Sequence, residues 1–149
     1  GAGGIDNQNK PVTDFLMTFT EYTVLVEIKC PGTAIFKQKK GGRAGTWEFT
    51  TDFTGAVSQI LEQKAEWSSF AESGEHYDKA TGRRLTARTR NARCILVIGS
   101  HAEFVGAVSE REANLKRDTF ELFRRECRSI DIVTFDELLE RAQFIARSG

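Results

Sequence analysis

The stretch Thr23–Lys29, TVLVEIK, constrains this chain more than any other. Thr23, Val24, Leu25 and Val26 are consecutive apolar or β-branched residues, the composition of a buried strand. Glu27 and Lys29 follow, separated by Ile28. Strand side chains alternate, so the two charges share one face and Ile28 takes the other. Charges on one face of an otherwise apolar strand are costly unless they are paired or bind an ion. The preceding run, Thr13–Thr20 (TDFLMTFT), also predicts a strand. If the two form a hairpin around Glu21 with an even number of loop residues, one register sets Asp14 opposite Glu27 and the next allowed one sets it opposite Lys29. Both put Asp14 on the face of Glu27 and Lys29. Two carboxylates and an ammonium then converge, as a divalent-metal phosphodiesterase site requires.

Hydrolysis of a phosphodiester needs an activated water, neutralisation of charge on the phosphoryl oxygens and help for the leaving oxygen. Mg²⁺, or Mn²⁺ in its place, takes hard oxygen ligands, usually one or two carboxylates plus waters and substrate. Asp14 and Glu27 suit that role, with the Ile28 carbonyl as a third ligand. Lys29 orients or deprotonates the attacking water, or stabilises developing charge. Gln59, from the helix that follows, is placed to hold a water or a phosphate oxygen. The chemistry needs no histidine: His76 lies in a polar loop, and His101 follows a strand end, where exposure is the ordinary reading.

The length of 149 residues predicts a single domain over 1–149, and 40% hydrophobic residues provide for a packed core. Twenty-one basic residues balance 21 acidic ones, so net charge names no partner and local charge must be read instead. Cys30, Cys94 and Cys127 are far apart and odd in number, which argues against a disulfide framework or a zinc site and for reduced cysteines in the cytoplasm. No apolar run approaches a membrane span and no signal peptide is visible. The glycine-rich start, Gly1–Gly4, reads as the cut end of a longer chain that lacks its upstream sequence.

Along the chain, strands are expected over Thr13–Thr20 and Thr23–Cys30, the second ended by Pro31-Gly32. Lys37–Gly45 (KQKKGGRAG) is a basic loop, either simply solvated or touching phosphate through Lys39 and Lys40. Asp52–Phe70 has helical spacing, with Phe53, Ala56, Val57, Ile60, Leu61 and Ala65 as its apolar positions and Gln59 and Gln63 one turn apart beside them. Trp67 is expected to pack. Arg83, Arg84, Arg88, Arg90 and Arg93 form a positive stripe that serves solubility and salt bridging or contacts phosphate. Cys94–Ile98 (CILVI) reads as a strand buried on both faces. A helix over Ser109–Cys127 should bury Leu115, Phe120, Leu122 and Phe123. Ile130–Thr134 is a further strand, and a helix over Phe135–Ala146 opens at Thr134 or Asp136 with Glu137 in its first turn. The fold class is therefore α/β: a mixed sheet flanked by helices on both faces.

Asp14, then Glu27-Ile28-Lys29 on a hairpin, then a helix bearing glutamines and a buried strand: this order resembles the PD-(D/E)xK nuclease superfamily, whose restriction-endonuclease-like sheet it implies. Pro11-Val-Thr-Asp14 stands for the family's Pro-Asp with two residues inserted. Glu27-Ile28-Lys29 matches the second half without change. Gln59 resembles the glutamine of the Q-x-x-x-Y helix, with Gln63 at the tyrosine place; read from Gln63, the partner is Trp67, and either glutamine fits. A closer resemblance, through DFLMTF, VEIKCPGT, AVSQILEQ, CILVIGS and KRDTFELFRREC…IDIVTFDELLERA, is to the nuclease domain of Shedu anti-phage defence proteins. It implies metal-dependent cleavage or nicking of DNA, defence against phage and self-association into homo-oligomers, with no small-molecule cofactor. The first helix of that superfamily's core often carries a further acidic residue, which here would lie upstream of Gly1. The alternative is a degenerate nuclease fold kept for nucleic-acid binding or oligomerisation, against which the intact Glu-x-Lys argues. A small-molecule or RNA phosphodiesterase is a third reading. The arginine stripe favours a polymer, DNA and RNA alike.

Overall fold

The computed structural model describes residues 15–18, 23–38, 47–72, 81–84, 92–106 and 109–149. Within them the elements run β1 (Phe15–Thr18), β2 (Thr23–Ile28), α1 (Thr51–Glu72), β3 (Arg93–Val97), α2 (Ala102–Val105), α3 (Glu110–Glu126), β4 (Ile130–Val133) and α4 (Phe135–Ser148). This is the expected order with the single turn of α2 added after β3. The strands form one mixed sheet in the order β1-β2-β3-β4. β1 is antiparallel to β2, while β2, β3 and β4 are mutually parallel. Phe15 pairs with Val26 and Thr18 with Thr23, so the hairpin has the expected parity; Asp14 itself lies outside the described residues.

Registers assign the faces. Leu25, Cys94 and Ile130 form one row, and Glu27, Leu96 and Ile132 the next. Alternation turns all six to the same side. That side is the core: Phe53, Ala56, Val57 and Ile60 of α1 and Phe120 of α3 pack on it. Phenylalanine supplies much of the filling. Phe49, Phe53, Phe120 and Phe123 lie in a chain of ring contacts at 4.8 to 6.2 Å, a separation at which tilted aromatic pairs attract. Val97 and Val133 are buried on the opposite side of the sheet. α4 is tied to that side by the ion pair from Arg141 Nη1 to Asp131 Oδ2, at 3.1 Å, because Asp131 alternates with Ile130 and Ile132. Helices thus flank both faces.

Three positions depart from the expected helical stripes. Leu61 and Ala65 of α1 are exposed, because the buried stripe continues from Ile60 to Gln63 and the half-buried Trp67. Leu122 of α3 is 62% exposed. The stripe on that helix runs through Ala113, Lys116, Phe120 and Phe123, and Leu122 points away from it. β3 begins at Arg93 and ends at Val97, one residue earlier at each end than CILVI suggests. Its central Ile95 is only half-buried, so the strand is less enclosed on its second face than an all-apolar run implies.

Candidate functional site

β2 ends against two anchors. Lys29 N donates to Val97 O at 2.9 Å, extending the parallel ladder one residue past the strand. Thr33 N then donates to Cys30 O, closing the Pro31-Gly32 turn. The backbone of Glu27-Ile28-Lys29 is therefore held extended, and Glu27 and Lys29 share the face covered by α1. Glu27 is 3% exposed. Its Oε1 lies 3.1 Å from Lys29 Nζ, and the same ammonium donates to Gln59 Oε1 at 3.1 Å. Gln59 stands beside the apolar stripe of α1, where it reaches past the core to the sheet's polar corner. Gln63, one turn on, is buried within the stripe. Of the two glutamines it is Gln59 that meets Lys29.

This line of three side chains leaves one atom over. Glu27 Oε2 is buried and has no hydrogen-bond partner among the described residues. A buried carboxylate oxygen without a donor costs free energy on the order of 1–3 kcal/mol or more, and a cation is the direct way to recover it. Among the described residues no three His, Cys, Asp or Glu side chains gather as a metal site. Asp14, the expected second carboxylate, lies outside them. The donor that is present, a hard oxygen beside a lysine, fits Mg²⁺ or Mn²⁺.

Next to this corner, residues 34–38 and 47–50 are held together at Phe36 and Phe49. Phe36 and Phe49 pair as an antiparallel bridge, with Lys37 N donating to Glu48 O and Thr50 N to Ile35 O. Glu103 of α2 accepts from Ile35 N at 2.8 Å and from Phe36 N at 3.2 Å. Lys116 of α3, 8% exposed, donates to Glu103 O at 3.0 Å and sits 4.5 Å above the Trp47 ring. Lys116 and Glu103 were not singled out from the sequence. The signal for Lys116 was its place in the buried stripe of α3, one turn before Phe120; Glu103 had no comparable signal. Lys37, at the start of the basic stretch, is paired with Glu48 at 2.9 Å. Lys39, Lys40 and Arg88 lie outside the described residues, as does His76. Arg83 and Arg84 are exposed on the surface. His101 is exposed too, and its backbone N, not its ring, donates to Asp136 Oδ2.

The family model for the C-terminal part of the Shedu protein SduA matches residues 3–139 of this chain. The chain belongs to the Shedu family. A curated relative, the Shedu protein SduA of Bacillus cereus (strain B4264), is 27% identical over 145 residues, which cover 96% of this chain and 36% of that protein. The chain thus spans about a third of the length of the curated relative it matches. The match takes in all four strands and ends within α4, so the Glu27–Lys29–Gln59 corner and the Glu103–Lys116 anchor both fall inside the Shedu region. Among the described residues no helix is long and apolar enough to cross a membrane. The three cysteines are free, with Cys94 buried and Cys30 exposed.

Proposed function

We propose that this Shedu chain is a metal-dependent DNA endonuclease of anti-phage defence. The observation that carries the reading is the buried Glu27, bridged through Lys29 to Gln59 and left with one oxygen unpartnered. A carboxylate in that position serves a cation better than it serves the core. Glu27, with Asp14 and the Ile28 carbonyl, would hold Mg²⁺ or Mn²⁺, which when bound neutralises phosphoryl charge and acidifies a water. Lys29, half in solvent, presents its ammonium where a phosphate oxygen or an attacking water meets the site. Gln59 Oε1 and Glu27 Oε1 take two of the three N–H groups of that ammonium, which fixes its direction and leaves one for substrate. Lys39, Lys40, Arg83, Arg84 and Arg88 are the candidates for contact with the nucleic-acid backbone. Self-association belongs to the same proposal through the family.

The test is nicking of plasmid and linear DNA with Mg²⁺, with Mn²⁺ and with EDTA, beside Lys29→Ala and Asp14→Ala. Metal-dependent cleavage that disappears in both folded variants supports the reading. Cleavage at the unaltered rate in either variant sinks the site. DNA binding with no hydrolysis in any metal would favour a binding or oligomerisation module on the same fold.

A further inference from the structure

A cavity of about 530 Å³ opens at the N-terminal ends of β3 and β4, whereas Glu27 lies towards the C-terminal end of β2. Its rim brings together Lys64 of α1, Arg93 at the start of β3, and Arg124 and Arg128 at the end of α3; its one carboxylate is Asp131. Two of these charges are already satisfied. Arg124 donates to Glu137 and to the Ile132 carbonyl and pairs with Glu121. Asp131 is paired with Arg141. Lys64, Arg93 and Arg128 remain, with no side-chain hydrogen bond or ion pair among the described residues.

Chance surface cations spread apart into solvent. Here three line one hollow beside the buried Cys94 and Ile130. Lys64 is close enough to oppose the effect of burial, which raises the Cys94 thiol above its ordinary value. Part of the charge complements the carbonyl end of α3, but Lys64 and Arg93 come from other elements and gain nothing from that. The volume lies within the range of small-ligand pockets, roughly 300–1,000 Å³, too large for a lone halide. Ser129 adds a hydroxyl to the lining.

We propose that this cavity is a second anion site, built for a phosphate-bearing ligand and separate from the Glu27–Lys29–Gln59 corner. Along the strands the row of Glu27, Leu96 and Ile132 lies two residues, about 7 Å, from Cys94 and Ile130 at the near side of the cavity, and four residues, about 13 Å, from Ala92. The inference does not depend on cleavage at Glu27. Phosphate reaches such a site either as a nucleotide or as part of a nucleic-acid strand.

The test titrates inorganic phosphate into the chain by calorimetry at low salt, with Lys64→Gln, Arg128→Gln, the double variant and Lys29→Ala alongside. Saturable binding near one equivalent is expected, weakened about tenfold or more by each single change at the cavity and unaltered in Lys29→Ala. Competition by adenosine monophosphate would assign a nucleotide; competition only by a 5′-phosphorylated oligonucleotide would assign a strand. Absence of saturable phosphate binding, or binding that persists in the double variant, overturns the proposal. If Lys64→Gln fails to fold by circular dichroism, the exposed Arg93→Gln replaces it and carries the same expectation.

Discussion

In the proposed reading Glu27, Lys29 and Gln59 have separate duties, and substitution should separate them. Gln59→Ala removes the acceptor that directs the Lys29 ammonium but leaves the Glu27–Lys29 pair at 3.1 Å. We expect it to slow nicking by about 10- to 100-fold without abolishing it, an effect of misplacement. Nicking rates measured beside Lys29→Ala check this, and an unchanged rate would remove Gln59 from the site. Gly99 tests the packing behind the corner. Its φ of +76° lies in the left-handed region, and a Cβ there would overlap the fully buried Ile35 side chain and come within 2.9 Å of Glu103 Oε2. That carboxylate holds the Ile35 and Phe36 amides. Gly99→Ala should therefore cost about 1–3 kcal/mol, from backbone strain and overpacking together. Thermal melts would show a Tm lower by several degrees; an unaltered Tm would mean that residues 35 and 36 are not pinned as described.

At the scale of elements, α4 depends on its first turn. Thr134 caps it with a full capping box, in which Thr134 Oγ1 accepts from Glu137 N and Glu137 Oε1 accepts from Thr134 N. Thr134→Ala should cost about 1 kcal/mol, which for a chain of this size lowers Tm by about 2–4 °C. Glu137 adds a pH dependence. Burial acts to raise its carboxyl, but the Thr134 amide and the Arg124 guanidinium outweigh burial and hold it below its ordinary value of 4.5. A carboxyl depressed by folding contributes stability above its unfolded pKa and loses it as pH falls through the lower folded value. Glu137→Gln should thus cost stability at neutral pH and narrow the gap to the parent chain below about pH 4; parallel curves across that range would exclude Glu137 as a source of acid sensitivity. These elements were legible in the sequence because their signals are local. CILVI has no alternative to a buried strand, and Thr134 with Glu137 is a cap by spacing alone. That Glu27 and Lys29 share a face was legible for the same reason, since alternation decides it. What was not legible depends on rotation about a helix axis or on contacts distant in the chain. Leu61 and Leu122 lie off the buried stripes, Lys116 lies on one, and the carboxylate that holds residues 35 and 36 comes from position 103.

For the whole molecule, 21 positive and 21 negative charges cancel, so attraction to a polyanion must arise from their arrangement. Several cations are neutralised internally: Lys37 by Glu48, Arg141 by Asp131, and Arg124 by Glu121 and Glu137. Among the described residues, the exposed Arg83 and the cations that line the strand-end cavity are candidates for contact with a phosphate backbone. Binding through them releases condensed counterions, so the logarithm of affinity should fall linearly with the logarithm of salt, by about 0.9 for each phosphate neutralised on duplex DNA. With three to five contacts the slope would be about −2.7 to −4.5, a loss of roughly 2 to 3.5 decades between 50 and 300 mM salt. Fluorescence anisotropy on a labelled duplex, in EDTA to prevent cleavage, measures it directly. Replacing Arg83 and Arg84 together by Gln should reduce the slope by up to about 2 if both touch phosphate, while leaving Tm nearly unaltered because both are exposed. A flat response to salt in the parent chain would instead mean that the compensated charge is an electrostatic fact about folding alone, and that the substrate of the Glu27 corner is not a nucleic-acid polymer.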